Sequence, residues 1–380
     1  MTKRPRSPIE PSTGTTQRCV DPHELPQQLA LSRARASLVP WPVRGPVEPT
    51  TEWESAMRIV VIGATGHIGG YLVPRLIESG HEVIALSRGL RDPYRAHPAW
   101  QRVTTLSVDR EEEEARGVFG ARIASLEAEA VIDLICFTPD SARQLIDGLG
   151  DSGTFLAHCG TIWVHGPAVE VPITEDFPRR PFGEYGVNKA AIESLILREA
   201  RHGKLRATVL HPGHIVGPGW VPLNPVGHFE AEVFEKLATG EHVDLANFGL
   251  ETVHHVHADD VAQAFELAVN RQGIANGEAF HVASERAITL RGYAEAVAAW
   301  FGQDADLGYR PFPEWRKGVD SASAQAAFDH LAHSPSISID KARSLLGYRP
   351  RYRTLDAVAE ALRWLIAHGN IDTGGAIPVL

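Results

Sequence analysis

Met57-Arg-Ile-Val-Val-Ile-Gly-Ala-Thr-Gly-His-Ile-Gly-Gly-Tyr-Leu72 is the stretch of sequence that best indicates the fold. An apolar run typical of a buried strand leads directly into glycines at positions 63, 66 and 69, and a helical pattern follows. Gly63 allows a sharp turn, Gly66 lets backbone N–H groups approach a pyrophosphate, and Gly69 allows the helix to pack closely on the strand. A helix that merely begins with three glycines is the alternative, but a second strand-like run follows at His81–Leu86. The pattern therefore predicts a strand–turn–helix unit that binds a dinucleotide.

The composition is that of an acidic globular protein. The chain has 380 residues, of which 43% are hydrophobic and 22% charged, and its net charge is −10. That charge disfavours attraction to nucleic acid or anionic membranes, and no apolar run has the length of a membrane span. Cys19, Cys136 and Cys159 have neither metal-site nor disulfide spacing. We expect a soluble, cytoplasmic protein with no nucleic-acid or membrane partner.

The first 56 residues differ from the rest of the chain. They contain nine of the 26 prolines, seven basic and six acidic side chains, and no sustained periodicity. Such a segment buries too little apolar surface to offset its ordering entropy, so we predict a disordered extension at 1–56. Because Met57 stands one residue before the first strand, a mis-assigned start codon is one explanation, and a regulatory tail is the other.

Strand-like and helical patterns alternate from Met57 onward. The strand-like runs are Arg58–Ile62, Glu82–Leu86, Val103–Leu106, Ala130–Ile135, Thr154–His158 and Arg206–His211, and helical patterns lie at 68–79, 112–126, 140–148 and 184–201. This alternation predicts an α/β fold with a Rossmann-type, doubly wound parallel sheet and a ligand at the carboxyl ends of the strands. We assign 57–215 to the dinucleotide-binding domain and 216–370 mainly to a smaller substrate-binding lobe, interleaved with the last sheet elements.

Tyr185-Gly-Val-Asn-Lys189 opens a helical pattern and places a phenol and an ammonium on one helix face. A tyrosine with a pKa near 10 is a poor acid–base catalyst at neutral pH, and a nearby fixed positive charge favours its phenolate. A lowering of that pKa by about three units needs about 4 kcal/mol, which Lys189 and a nicotinamide cation together can supply. An exposed helix with a chance Tyr–Lys pair is the alternative.

The order of several motifs resembles that of a known enzyme family. The motifs are Gly63-Ala-Thr-Gly-His-Ile-Gly69, Gly160-Thr-Ile-Trp-Val-His-Gly166, Pro172-Ile-Thr-Glu-Asp-Phe-Pro178, Tyr185-x-x-x-Lys189, His211-Pro-Gly-His-Ile-Val-Gly-Pro218, Val256-His-Ala-Asp-Asp-Val261 and Ile339-Asp-Lys-Ala-Arg-Ser-Leu-Leu-Gly-Tyr-Arg-Pro350. Together they resemble the extended short-chain dehydrogenase/reductases, and within these the NAD-dependent epimerase/dehydratase group. The resemblance extends from residue 57 to 366.

The resemblance implies roles for individual residues. Tyr185 matches the general acid–base, Lys189 the residue that lowers its pKa and holds the nicotinamide ribose, and Thr161 the hydroxyl that hydrogen-bonds the reacting oxygen. The implied cofactor-binding residues are Gly63, Thr65, Gly66, His67, Ile68, Gly69, Ser87, Arg88, Asp109, Arg110, Ile135, Cys136, Tyr185, Lys189 and Pro212. A homodimer that pairs through two helices, one of them the Tyr–Lys helix, is implied by analogy.

The end of the second predicted strand bears on the choice of cofactor. Members of the family that prefer NAD carry an acidic residue there to bind the ribose 2′-hydroxyl, whereas this chain reads Leu86-Ser-Arg-Gly89. Ser87 and the permanently charged Arg88 suit a 2′-phosphate, which favours NADP over NAD. Stacking of Arg88 on adenine is the alternative, and it would tolerate either cofactor.

Two segments depart from the family pattern. Members that act on nucleotide-linked sugars usually carry an arginine and an asparagine where this chain reads His211-Pro-Gly-His214. They often carry a further arginine where it reads Thr252-Val-His-His-Val-His257. Without arginines a diphosphate lacks bidentate partners, which favours a less charged ketone or alcohol. The short connection between Phe137 and Thr154 also resembles that of the chloroplast stem-loop RNA-binding proteins.

A histidine cluster at 254, 255 and 257 precedes Asp259 and Asp260. No third ligand follows at a defined spacing, so we predict structural or substrate-lining histidines and no metal site. The two aspartates are expected to cap the next helix.

The leading hypothesis is an oxidoreductase or epimerase that transfers a hydride between nicotinamide and a secondary alcohol or ketone. The alternative is a nucleotide-sensing or RNA-binding protein that keeps the fold without turnover. The net charge disfavours RNA, and the complete set of Thr161, Tyr185 and Lys189 disfavours the loss of catalysis.

Overall fold

The first strand, β1 (Arg58–Ile62), shows why the chain forms a sheet that is covered on both sides. Its residues from Ile59 to Ile62 are all buried. Ile59 and Val61 belong to one hydrophobic core, whereas Val60 and Ile62 belong to another, as the alternation of side chains along a strand requires. A strand buried on both faces is typical of a parallel sheet between two layers of helices.

The computed structural model describes residues 56–90, 92–150 and 152–379. The strands after β1 are β2 (Glu82–Ser87), β3 (Thr104–Ser107), β4 (Ala130–Asp133), β5 (Phe155–Cys159), β6 (Arg206–Pro212), β7 (His214–Val216), β8 (Val243–Ala246), β9 (Thr252–Val253), β10 (His255–His257), β11 (Ala279–Val282), β12 (Ile288–Thr289) and β13 (Leu307–Arg310). The helices are α1 (Gly69–Glu78), α2 (Arg110–Ala115), α3 (Phe119–Ala124), α4 (Pro139–Leu149), α5 (Gly183–Arg201), α6 (Glu232–Thr239), α7 (Ala258–Asn270), α8 (Gln272–Ala275), α9 (Leu290–Trp300), α10 (Phe312–Trp315), α11 (Ser321–His333) and α12 (Thr354–Ala367). Single 3-10 turns lie at Pro98–Arg102, Ile162–His165 and Arg316–Gly318, and a π-turn lies at Ala342–Leu346.

Seven strands form the main sheet in the order β11-β6-β5-β4-β1-β2-β3, and all its pairs are parallel. Helices α1 and α7 supply side chains to the core on one face, and α3, α4 and α5 supply those on the other. The strand order reverses between β4 and β1, which is where parallel sheets of this kind bind ligands at their carboxyl ends. The predicted doubly wound sheet is confirmed.

Two features of the sheet layer differ from the sequence prediction. A seventh strand, β11, pairs with β6 at the sheet edge, although the six predicted runs did not include it. The helix expected at 112–126 is two short helices, α2 and α3. Gly117 lies between them with a φ of +68°, a conformation that ends α2 and that glycine adopts without strain.

The C-terminal half also contains a third hydrophobic core, which α6, α9, α11 and α12 surround. Three two-stranded sheets accompany it, formed by β7 with β10, β8 with β13, and β9 with β12. The division near residue 215 stays a prediction, because β11 and α7 return to the main sheet layer. The extension predicted at 1–56 lies outside the described residues, apart from Ala56.

Among the residues that the structure describes, no helix has the length and hydrophobicity needed to cross a lipid bilayer.

Candidate active site

The loop after β1 has the geometry of a cradle for a phosphate group. Gly63 has a φ of +85°, and a Cβ atom there would lie 2.7 Å from Ile135 Cγ2. A Cβ atom on Gly69 would lie 2.1 Å from the carbonyl oxygen of Ala64, so only glycine permits this approach of helix to loop. No side chain caps α1 at Ile68, which leaves the positive end of the helix directed at the loop. The residues present therefore fit the pyrophosphate of a dinucleotide.

A cavity of about 450 Å³ lies beside this loop at the ends of β1 and β2. Its wall brings together eight of the predicted cofactor-binding residues, which are Gly63, Thr65, Gly66, Ser87, Arg88, Asp109, Arg110 and Ile135. Arg88 is exposed and has no ion pair within the described part of the chain. Asp109 caps α2 by accepting from the Glu112 amide at 3.1 Å.

Arg110 lies in the same wall, but its guanidinium is bound within the protein. It donates to Asp133 at 2.7 Å and to Glu114 at 2.6 Å, and it is only 7% exposed. The Arg110 guanidinium opposes the effect of burial and holds the pKa of the Asp133 carboxyl below its usual value. The structure therefore gives Arg110 a buried ion pair in the floor of the cavity, which the sequence did not reveal.

A second cavity of about 560 Å³ shares Gly63, Gly66, Ile135 and Phe137 with the first. It contains the remaining predicted residues His67, Ile68, Gly69, Thr161, Tyr185, Lys189 and Pro212. The three predicted catalytic residues thus face the same space as the glycine loop. Cys136 is the one predicted residue that lines neither cavity, because its side chain is fully buried.

Lys189 is held by the backbone under the second cavity. Its Nζ donates to the carbonyl oxygens of Cys136 at 2.8 Å and Cys159 at 2.7 Å, and the residue is 2% exposed. Burial lowers the pKa of Lys189, whereas the neighbouring thiols and Asp133 oppose that shift. The ammonium lies 5.9 Å from the centre of the Tyr185 ring, so its position is fixed beside the phenol.

Tyr185 lies in the first turn of α5, and the Thr161 side chain lies close enough to its hydroxyl to influence its pKa. The residue is 42% exposed as a whole, but its hydroxyl end is enclosed, and burial raises the pKa of Tyr185 to about 12. The neighbouring Thr161 side chain opposes this rise in the pKa of Tyr185. The lowering of this pKa by Lys189 together with a bound nicotinamide cation stays a prediction.

A buried network that the sequence analysis missed holds these groups together. His211 Nδ1 accepts from the Thr161 amide at 2.9 Å, so its Nε2–H donates to Glu193 at 3.1 Å. Arg179 pairs with the same carboxylate at 2.6 Å. Tyr185, Lys189 and Glu193 are spaced four residues apart on one face of α5, and this spacing was the available signal. The network connects the Thr161 loop to the helix that carries Tyr185.

The histidine cluster is structural. His254 accepts from the Ile337 amide at 3.2 Å and donates to the Ser284 carbonyl at 2.9 Å, and His255 donates to the Leu223 carbonyl at 3.2 Å. His257 caps α7 by accepting from the Asp259 amide at 3.0 Å.

The expectation that Asp259 and Asp260 cap this helix is wrong. Asp259 pairs with Arg75 at 2.8 Å and Arg351 at 3.0 Å, and Asp260 accepts from the Arg351 and Tyr352 amides. Both carboxylates bind groups that are remote in sequence, and the side chain of His257 caps the helix instead.

Among the described residues, one set of side chains has the spacing of metal ligands. Asp133, Cys136 and His158 lie within 4.8 Å of one another and are buried. Arg110 already binds the Asp133 carboxylate, and the Lys189 ammonium is bonded to the Cys136 carbonyl. Two cations thus adjoin this cluster, and they oppose the binding of a third.

Comparisons with known proteins agree with the geometry. Residues 59–283 match the NAD dependent epimerase/dehydratase family. The 2′-dehydrokanamycin reductase of Streptomyces kanamyceticus is 28% identical over 246 residues, which are 64% of this chain and 66% of that protein. The UDP-glucose 4-epimerase of Streptococcus mutans is 25% identical over 339 residues, with 81% of this chain and 96% of that protein covered. The crystal structure of the Thermotoga maritima UDP-glucose 4-epimerase with UDP-glucose superposes with a TM-score of 0.63 at 22% identity, over 82% of this chain and 99% of that one, which shows a shared fold.

Proposed function

The chain belongs to the NAD dependent epimerase/dehydratase family and is an enzyme, and on this premise we propose that it transfers a hydride between NAD(P) and a secondary alcohol or ketone. The observation that carries the proposal is the convergence of Thr161, Tyr185 and Lys189 on the cavity that the glycine loop also lines. The test is a screen of carbonyl compounds for oxidation of NADPH and NADH by the purified protein. Failure of the protein to bind either cofactor would overturn the proposal.

Each residue has a defined part in this chemistry. Bound NAD(P) would be held by the glycine loop and would supply the hydride donor or acceptor. Tyr185, with a pKa of about 12, is a neutral phenol at neutral pH and can give its proton to a ketone oxygen. Thr161, which lines the same cavity as Tyr185, can hydrogen-bond the same oxygen and orient it. Lys189 places a fixed positive charge beside both and would hold the nicotinamide ribose.

NADP is the proposed cofactor because of Arg88. Its exposed guanidinium lies at the end of β2 in the wall of the smaller cavity, where it can bind a 2′-phosphate. We expect Arg88→Gln to weaken NADPH binding by about 10- to 100-fold, the worth of one charge-assisted hydrogen bond, and to change NADH binding by less than about threefold. Fluorescence titration measures both affinities.

The matched control is Arg143→Gln, at an exposed arginine of α4 that lines neither cavity. Equal weakening of NADPH and NADH in the Arg88 variant would show that Arg88 stacks on adenine instead.

The network of His211 leads to a second prediction. An asparagine oxygen can replace Nδ1 and accept from the Thr161 amide, whereas a glutamine side chain extends towards Glu193 and leaves that amide unpaired. We expect His211→Asn to keep kcat within about threefold and His211→Gln to lose about tenfold or more, because Thr161 is misplaced. Steady-state kinetics with thermal unfolding separates the two effects. Equal losses of kcat and of thermal stability in both variants would indicate packing alone.

Reductase and epimerase differ in how they treat the cofactor, and the choice between them is open. An epimerase retains nicotinamide through purification because it re-reduces its own intermediate, whereas a reductase exchanges it. Absorbance of the purified protein after gel filtration distinguishes them.

A binding protein without turnover is disfavoured, because Thr161, Tyr185 and Lys189 meet at one cavity. RNA binding that falls steeply with salt, with no activity to lose in a Tyr185 variant, would favour it.

A cytoplasmic location and a homodimer complete the proposal. The two cysteines that the structure describes are free and buried, in keeping with a reducing compartment. Helices α4 and α5 pack side by side and could form the dimer surface by analogy with the family. Light scattering of the purified protein tests the oligomeric state.

A further inference from the structure

The larger cavity extends beyond the three catalytic residues into a region with uncharged rings. Trp163, His214, Trp220, Phe229 and His330 line it. Lys189 is the single lysine, arginine or carboxylate in its described wall, and its Nζ is bonded to two backbone carbonyls. A charged substrate would therefore find no partner of opposite sign in this region.

The imidazoles of His214 and His330 in this wall do not supply charge either. Burial lowers the pKa of His330 to about 4 and holds that of His214 well below its usual value. His330 packs edge-on against Trp163 at 5.1 Å and against Phe229 at 5.6 Å between ring centres. At neutral pH these rings form one apolar surface of aromatic character.

The surroundings of the cavity oppose anions. A further cavity of about 450 Å³ is lined by His228 and Glu230, the residues on either side of Phe229 in the chain, and its carboxylates are Glu230, Glu232, Asp244 and Asp320. Its cations are already paired: Lys236 with Glu232 at 2.7 Å, and Arg310 with Asp244 at 2.9 Å. A diphosphate that reached past Phe229 would meet net negative charge.

Two of the wall residues also expose apolar surface. Trp220 is 40% exposed and Phe229 is 45% exposed, although both line the cavity. Exposed aromatic rings at the wall of a pocket are typical of sites that bind a flat apolar group.

We infer that the substrate is an uncharged, flat and largely apolar ketone or secondary alcohol, such as an aryl ketone, and that nucleotide diphosphate sugars are excluded. This inference rests on the proposed function and specifies its substrate class. The reacting oxygen lies at Thr161 and Tyr185, and the ring system packs between Trp163, Phe229 and His330.

Binding, measured by calorimetry, tests the inference without dependence on turnover. The protein is the full chain with Tyr185→Phe, saturated with NADP⁺, and the probes are 1-phenylethanol and UDP-glucose. We expect 1-phenylethanol to bind at least about tenfold more tightly than UDP-glucose. Tighter binding of UDP-glucose, or binding of neither probe, overturns the substrate class. Failure of the unsubstituted protein to bind any nicotinamide cofactor is a separate result and overturns the proposed function.

A charge introduced into the wall makes the test sharper. Adding Phe229→Arg should weaken the binding of 1-phenylethanol and strengthen the binding of UDP-glucose, each by about tenfold, because the arginine supplies a cation that this wall lacks. Phe248→Arg is the matched control, at a 73% exposed phenylalanine that lines none of the three cavities. Equal changes in the two variants would contradict the inference, and thermal unfolding confirms that both fold.

Discussion

The Tyr185→Phe variant is expected to lose hydride transfer by about 10³-fold or more, with cofactor affinity changed by less than about threefold. The variant lacks only the hydroxyl, which is the group proposed to transfer the proton. The ring remains to pack edge-on against Trp163, with 5.7 Å between ring centres. Single-turnover measurement of NADPH oxidation, together with titration of cofactor fluorescence, separates the chemical step from binding.

Tyr309→Phe is the matched control for this experiment. Tyr309 is 41% exposed, close to the 42% of Tyr185, and it lies in β13 away from both cofactor cavities. Its loss of a hydroxyl should leave the rate unchanged. Turnover retained in the Tyr185 variant would remove Tyr185 from the role of acid–base, even if the cofactor still bound.

Acid should unfold this protein more readily than most, with a midpoint of about pH 5. Burial holds the pKa values of eight histidines well below their usual value, and these are His158, His165, His214, His254, His255, His257, His281 and His330. At pH values between the lowered histidine pKa of the folded state and the normal histidine pKa of the unfolded chain, the unfolded chain binds more protons than the folded protein. The free energy of unfolding therefore falls as pH drops below about 6.5, by up to about 1.4 kcal/mol per pH unit for each histidine. The free energy of unfolding of a protein is about 5–15 kcal/mol in total. The combined loss from the eight histidines therefore exceeds it within about two pH units below pH 6.5.

Circular dichroism between pH 8 and 4 measures this transition. His158→Leu should move the midpoint to lower pH, because neither ring nitrogen of His158 has a hydrogen-bond partner to lose among the residues that the structure describes. His242→Asn is the control, because hydrogen bonds with Asp306 and Asp244 raise the pKa of this exposed histidine. Its charge favours the folded state at low pH, so its removal gives no acid resistance. A stability that stays level from pH 7 to 5 would contradict the burial of neutral imidazoles.

The parts of this molecule that sequence predicts well are those set by short-range geometry. Gly63 and Gly69 stand where a side chain would collide with Ile135 or with the Ala64 carbonyl, and such constraints give a fixed local spacing. The same holds for Tyr185 and Lys189, which share a helix face. Five of the seven strands, β1, β2, β4, β5 and β6, follow from apolar runs with turns between them, because burial on both faces demands such runs. The edge strand β3 was also predicted, although its residues are mostly exposed.

Features set by distant partners were not predictable in this way. Arg110 has the position of a ligand-binding residue in the sequence, but Asp133, 23 residues away, binds its guanidinium. His211 in β6 and Glu193 in α5 lie 18 residues apart in the chain, and they form a pair only once the strand and the helix are packed together. The short strand β11 is recognised as part of the main sheet only through its register with β6.

The bonds of Lys189 make that residue a poor subject for mutational dissection of mechanism. The ammonium binds the carbonyl oxygen of Cys136, which follows β4, and that of Cys159, which ends β5. It therefore connects the carboxyl ends of two adjacent strands in the middle of the sheet. Removing it would leave both acceptors buried and unsatisfied, at a cost of about 1–3 kcal/mol each. A Lys189→Met enzyme would be weakened as a scaffold before its chemistry could be judged, and we expect it to melt earlier than the Tyr185→Phe enzyme in the same buffer.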